Sequence, residues 1–200
     1  TKSDFKISMP LDPMHGTVGV APGGFEARAT ITPDAHGGNM DTPEIRKGST
    51  VYFGVNHDGA LLSIGDGHCR QGQGEVIGTA IESAMNTVIV VDLIKGIYTP
   101  WPRIEDTNSI MSTGSTRPLE DAYRISQHDL INWVAQESKL EVLDALQLVS
   151  QIGTAPVGNV VDPNYTFVSK IEKKYLPKSH VYGGVHDKLN KIAIQYRTTK

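Results

Sequence analysis

The 200-residue chain has a single cysteine, Cys69, so it can form no internal disulfide. One thiol leaves the compartment open, cytoplasmic or exported. A large excess of either charge is also lacking, with 19 Lys and Arg against 22 Asp and Glu. A formal net charge of −3 provides no basic field for nucleic acid and no polybasic patch for a membrane surface. No apolar run approaches the ~20 residues of a membrane-spanning helix. Internal repeats and low-complexity stretches are lacking. So are several catalytic signatures. There is no G-x-S-x-G elbow and no Ser–Ser–Lys arrangement, and "STGST" (112–116) lacks the flanks of either. "GQGEVIG" is not followed by Gly-Lys-Ser/Thr, and the strand-like run after it offers a phosphate no helix N-terminus. An initiating Met and a secretory pattern are missing before "TKSDF", which reads as a mature, trimmed or partial chain. Thr1 as an amine-activated nucleophile is a weak candidate, because Lys2 and Ser3 lead into no apolar segment.

What is present fits one substantial domain, or two small ones sharing a core, with 38% apolar and 20% charged residues. The first hundred residues predict strands. "GTVGVA" (16–21), "EARATI" (26–31), "STVYFGV" (49–55), "ALLSI" (60–64), "EVIGTAI" (75–81) and "TVIVVDLI" (87–94) are short β-branched runs divided by Gly, Pro, Asn and Asp. The last of these is almost wholly apolar and predicts a strand buried on both faces. "SIMSTGSTRP" (109–118) reads as a polar loop and a boundary. Residues 118–152 predict two helices lying on the sheet. Pro118 suits a first turn, Ser138 and Glu141 form a capping box, and Gly153 ends the second helix. "NVVD", "YTFVSKI" and "KIAIQYR" predict a return to strand.

The stretch "GDGHCRQGQGE" (65–75) concentrates chemistry on a glycine-rich backbone. Asp66 and His68 are two apart and share one face of an extended strand. Carboxylate and imidazole together suit zinc or another divalent ion. Two ligands do not make a site, and "DAHGGNMD" (34–41) offers Asp34, His36 and Asp41 around another glycine turn. Ordinary turns with solvated Asp and His remain the alternative. Cys69 as a nucleophile needs a base, but His68 is adjacent and so points to the opposite strand face. A small, partly buried thiol fits better. Glu75 and Glu82, seven apart, face opposite sides of a straight strand unless Gly78 introduces a bulge. His57, His128, His180 and His186 stand singly and read as surface or structural, and Trp101 as a packing residue.

"HGTVGVAP" (15–22), "GGNMD" (37–41), "KGSTVYFGVNHDGALLSIGDGH" (47–68), "QGQGEVIGTAIE" (71–82) and "NVVDPNYTFVSKIEKKYLP" (159–177) together resemble the acetamidase/formamidase family, in the family's order. The "GGN-x-D" and "GD-x-H-x-x-QG-x-GE" elements are its most specific marks. The resemblance implies a mainly β, sandwich-like fold with a helical insertion at about 118–152, all in one family domain spanning 1–200. It implies hydrolysis of a short amide, formamide or acetamide, to ammonia and a carboxylic acid. It also implies a divalent metal, zinc, with calcium as a second ion. Asp41 and His68 are the first-choice ligands, followed by Asp66 and His36. Glu75 is the acid/base partner of His68, carrying a proton from attacking water to the leaving nitrogen. Asn39, Gly38 and Gln71 are the expected substrate contacts, Asn39 and the glycine amides holding the carbonyl oxygen.

Two departures from the family pattern bear on activity. Gln73 stands where the family usually carries an acidic residue, and Cys69 where a small residue is common. Family members are also longer, the missing part being N-terminal. The alternatives are therefore a non-catalytic or binding relative, or one fragment of a processed two-chain enzyme whose second chain supplies that part. A homo-oligomer is the expected assembly, with a small amide as the partner and neither nucleic acid nor membrane.

Overall fold

The computed structural model describes residues 3–178 and 180–199. Thr1 lies outside the described residues. Among these residues the chain runs β1 (Met14–Gly19), β2 (Gly37–Asn39), β3 (Thr50–Tyr52), β4 (Ser63–His68), β5 (Arg103–Glu105), β6 (Ser109–Thr116), α1 (Leu119–Ser138), α2 (Val142–Ile152), β7 (Val157–Asn159), β8 (Tyr165–Glu172) and α3 (Val185–Thr198). The strands form two antiparallel sheets. One is ordered β2-β1-β4 and the other β3-β5-β6-β8-β7.

The layering follows from the two-residue period of the central strands. On β6, Ile110 packs with Leu130, Trp133 and Val134 of α1. Its neighbour Met111 joins Val18 of β1, Met40, Ile104 and Val168. On β8, Ile171 and Val168 divide in the same way. The five-stranded sheet therefore carries helices on one face and the three-stranded sheet on the other. This is the mainly β, sandwich-like arrangement with a helical block. A charged network crosses the helix side. Arg103 donates to both carboxylate oxygens of buried Asp129 at 2.8 and 2.7 Å and lies 4.9 Å from the centre of the Trp133 ring.

Several local expectations are corrected. Residues 109–118 are no polar loop. They contain β6, whose first seven residues are buried. Its hydroxyls are satisfied from elsewhere: Ser112 donates to Asp129, Thr113 to the Pro102 carbonyl, and Ser115 pairs with Thr166. Gly114 lets α1 approach, since a Cβ there would run into the backbone of Ala122 and Ser126. The run 191–197 is part of α3, not a strand. Val185, Leu189 and Ala193 fall four apart on one helical face, a period that the shorter run conceals. Segments 26–31 and 75–81 are irregular. The capping box is not formed: Ser138 ends α1, Lys139 turns left-handed, and Glu141 caps α2 without a side-chain bond. Gly153 does end α2, its N–H reaching the Val149 carbonyl at 2.8 Å.

The largest departure is 87–94, which joins neither sheet. Val88, Val91 and Leu93 are 64%, 69% and 60% exposed, where a strand buried on both faces was expected. The segment walls a broad cleft of about 1250 Å³ together with Tyr52, Phe53 and Leu189. Asp41, Asp66, Glu75, Glu82 and Asp162 do not line that cleft.

Candidate metal centre

The three-stranded sheet and the loops beside it gather one imidazole and several carboxylates. β1 and β4 pair with Met14 opposite His68 and Thr17 opposite Gly65, which sets Asp66 and His68 beside Gly16. A Cβ on Gly16 would collide with the carboxylate oxygens of both Asp66 and Asp41, so glycine is what lets these two acids close in. Asp41 follows β2, and its N–H donates to the Gly16 carbonyl at 3.1 Å. Glu75 is tied to β7 by Gly74, whose N–H lies 3.0 Å from the Val157 carbonyl. Glu82 comes back to β4 through an antiparallel bridge opposite His68. Asp41, Asp66 and Glu75 have φ of 45°, 54° and 44°. Left-handed backbone at non-glycine residues costs about 1–3 kcal/mol each and is held in place by the surrounding contacts.

His68 is at the centre and only 1% exposed. Its Nε2 lies 3.1 Å from Asp66 Oδ1, 3.4 Å from Glu82 Oε2 and 4.0 Å from Glu75 Oε1. Two groups of possible ligand atoms share it: Asp41–His68–Glu75 and Asp66–His68–Glu82, each within 4.8 Å. Asn39 bridges the acids, donating to Asp41 at 2.7 Å and to Asp162 at 3.0 Å, while its oxygen accepts from Thr17. Gln71 Nε2 lies 2.5 Å from the Asp41 carbonyl and 3.1 Å from that of Gly158, and its Oε1 is 2.9 Å from His68 Nδ1. Buried Asn159 holds the Met40 carbonyl at 3.1 Å and accepts from the Asp162 N–H at 3.3 Å, joining the two acidic turns.

This packing of acids is unfavourable without a cation. Asp41 is pushed up to about 10, first by burial, then by its hydrogen bond to Asp162 and repulsion from Glu75, Asp162 and Asp66. Burial also raises Glu75 and Asp162, against the pull of His68 on the former. Asp41 Oδ1 is buried with no hydrogen-bond partner. An orphaned carboxylate oxygen beside an imidazole and further carboxylates is a donor set suited to a divalent cation.

Of the residues expected from the sequence, Asp41, Asp66, His68 and Glu75 meet here, with Asn39 and Gln71 binding to them. His36 is in neither ligand group. Its titration is governed by burial and by Asp34 and Arg28, and its Nδ1 is buried without a partner. Gly38 pairs with Val18 in the β1–β2 ladder. Cys69 belongs to neither group, and its N–H and carbonyl bond Ile81 and Asp12. Gln73 is exposed. The single histidines are structural or superficial as expected: His57 bonds the Pro22 carbonyl, His180 pairs with Asp187, and His186 sits between Thr50 and Asn190. Sequence reasoning missed Asp162, Thr17 and Gly16. Asp162 stands in "NVVDPNY", where Asp-Pro signals only a turn.

The model of the acetamidase/formamidase family matches residues 10–160. The chain belongs to this family. The acetamidase of Yersinia enterocolitica superimposes with a TM-score of 0.83 at 47% identity, covering 85% of this chain and 51% of that one. A predicted acetamidase/formamidase of Thermoanaerobacter tengcongensis gives 0.81 at 34%, covering 84% and 56%. A formamidase of Methylophilus methylotrophus is 33% identical over 153 residues, 66% of this chain and 37% of that relative. The chain thus spans about half the length of these solved family members.

Proposed function

We propose that this family member takes part in the hydrolysis of a short linear amide, such as formamide or acetamide, to ammonia and the carboxylic acid. The observation that carries the reading is the convergence of Asp41, His68 and Glu75, with Asp41 Oδ1 buried and unpartnered, in a chain of the acetamidase/formamidase family. Asp41 and His68 are the residues that would first hold a divalent ion, zinc in our reading, and the oxygens of Asp66 and Glu82, which form the other group around His68, would suit calcium as a second ion. When bound, such an ion lowers the pKa of water and polarises a carbonyl oxygen. Glu75 is the acid/base group. Burial raises its affinity for a proton above that of an ordinary carboxylate, as suits a group that takes a proton and gives it back. Its Oε1 takes the proton of the attacking water and returns it to the amide nitrogen, which must be protonated to leave.

Purified protein is analysed for metal and for ammonia release from formamide and acetamide. His68→Ala is expected to lose both. Retention of metal and full turnover refutes the assignment. The second reading, a relative without chemistry, is favoured by one observation: Gln73 replaces the family's usual acid. Metal without ammonia release supports it. We further propose a homo-oligomer, in which the exposed apolar side chains of Val88, Val91 and Leu93 are covered. A monomer in analytical ultracentrifugation refutes that assembly.

A further inference from the structure

We infer that Gln71 is a positioning residue that fixes the tautomer and the aim of His68. The inference deepens the metal reading and rests on it only for its effect on affinity. Gln71 Nε2 lies 2.5 Å from the Asp41 carbonyl oxygen and 3.1 Å from the Gly158 carbonyl oxygen. Carbonyl oxygens only accept, so this end of the amide is the NH₂ group. The opposite end is then the oxygen, 2.9 Å from His68 Nδ1. An amide oxygen also only accepts, so His68 Nδ1 carries the proton and donates it. The hydrogen bond on one imidazole nitrogen decides the state of the other. In the neutral ring Nε2 is then left with its lone pair, and it is the atom facing Asp66, Glu82 and Glu75; a second proton there gives the imidazolium, which those carboxylates pair.

That arrangement has a consequence for selectivity between states. A lone pair on Nε2 aimed at carboxylate oxygens is unfavourable by itself. It becomes favourable when a cation stands between them. Gln71 thus makes Nε2 the ring atom that a cation can take, in place of the proton that pairs it with Asp66 in the metal-free cluster. Because its NH₂ group holds the Asp41 carbonyl, the same side chain couples the ring of one proposed ligand to the backbone of another. Outer partners of this kind change metal affinity by roughly 10–100-fold.

The test reads the ring nitrogens of His68 by ¹⁵N NMR, in the zinc-loaded and metal-free wild-type protein, alongside zinc affinity. A protonated Nδ1 is expected in both states, with zinc on Nε2. Gln71→Glu keeps an acceptor for Nδ1–H but loses both donor bonds. Gln71→Met loses all three. The Nδ1–H signal is expected to persist in the first and to be lost or exchange rapidly in the second, whose zinc affinity falls roughly 10–100-fold. An unprotonated Nδ1 in the wild type overturns the inference, whether or not either variant folds. A Gln71→Met protein with an unchanged Nδ1–H signal and unchanged affinity also overturns it. A wild type that binds no zinc but shows the Nδ1–H signal refutes the metal reading and leaves the role of Gln71 standing.

Discussion

Replacing Asp41 by Asn should stabilise the metal-free protein while abolishing metal binding. Asp41 is buried, and its carboxyl is raised from an ordinary 3.8 to about 10. The sign follows from linkage. The folded protein holds a proton at Asp41 that the unfolded chain has already released, so the contribution is fully present below about pH 4. It is lost progressively as pH rises toward 10. Within that window the group lowers stability by about 1.4 kcal/mol per pH unit. From 3.8 to pH 7 is about three units, which sets a ceiling of about 4 kcal/mol, and local relaxation reduces the gain from Asn to about 2 kcal/mol. Asn keeps a carbonyl acceptor for the Asn39 amide and has nothing to ionise. The assay is denaturant unfolding in chelator at pH 6, 7 and 8. Wild-type stability should fall across the series, and Asp41→Asn should flatten the slope and lie above it. Wild-type stability rising with pH, or Asp41→Asn below wild type throughout, would refute the account of the cluster as acids crowded together for want of a cation. Saturating zinc should reverse the order, because only the wild type gains binding energy; an ion at a thousand times its Kd adds about 4 kcal/mol.

Three further outcomes follow from particular contacts. Glu75→Gln should cut ammonia release roughly 10²–10⁴-fold while bound metal is retained; loss of the metal would make Glu75 a ligand instead. Gly16→Ala puts a methyl group into the space of the Asp41 and Asp66 carboxylates, so it should abolish metal binding and destabilise by about 1–3 kcal/mol, read by elemental analysis and chemical unfolding. Asp129→Ala strands buried Arg103 without its bidentate partner. It should cost about 3–5 kcal/mol in unfolding free energy, and a loss under 1 kcal/mol would mean that the guanidinium finds water.

The sequence by itself determined the family and much of the centre. His68, Asp66 and Glu75 lie within one short stretch whose spacing and glycines are local properties, and Asp41 sits in an equally compact motif. It also determined the helical block, because α2 repeats its apolar residues over an eleven-residue span, long enough to show a period. The tertiary structure decided the rest, and the reason is partnership across long separations. β6 is rich in Ser, Thr and Gly, a loop composition, yet it is the buried central strand because α1, β8 and the Pro102 carbonyl satisfy its hydroxyls. Residues 87–94 have the composition of a buried strand and are exposed, because no described segment pairs with them in either sheet. Asp162 joins the centre through Asn39, 123 positions away, a distance over which no spacing rule operates. Side-chain type announces what a residue is able to do. Burial and hydrogen-bond partners, which exist only once distant segments meet, decide which of those abilities is used.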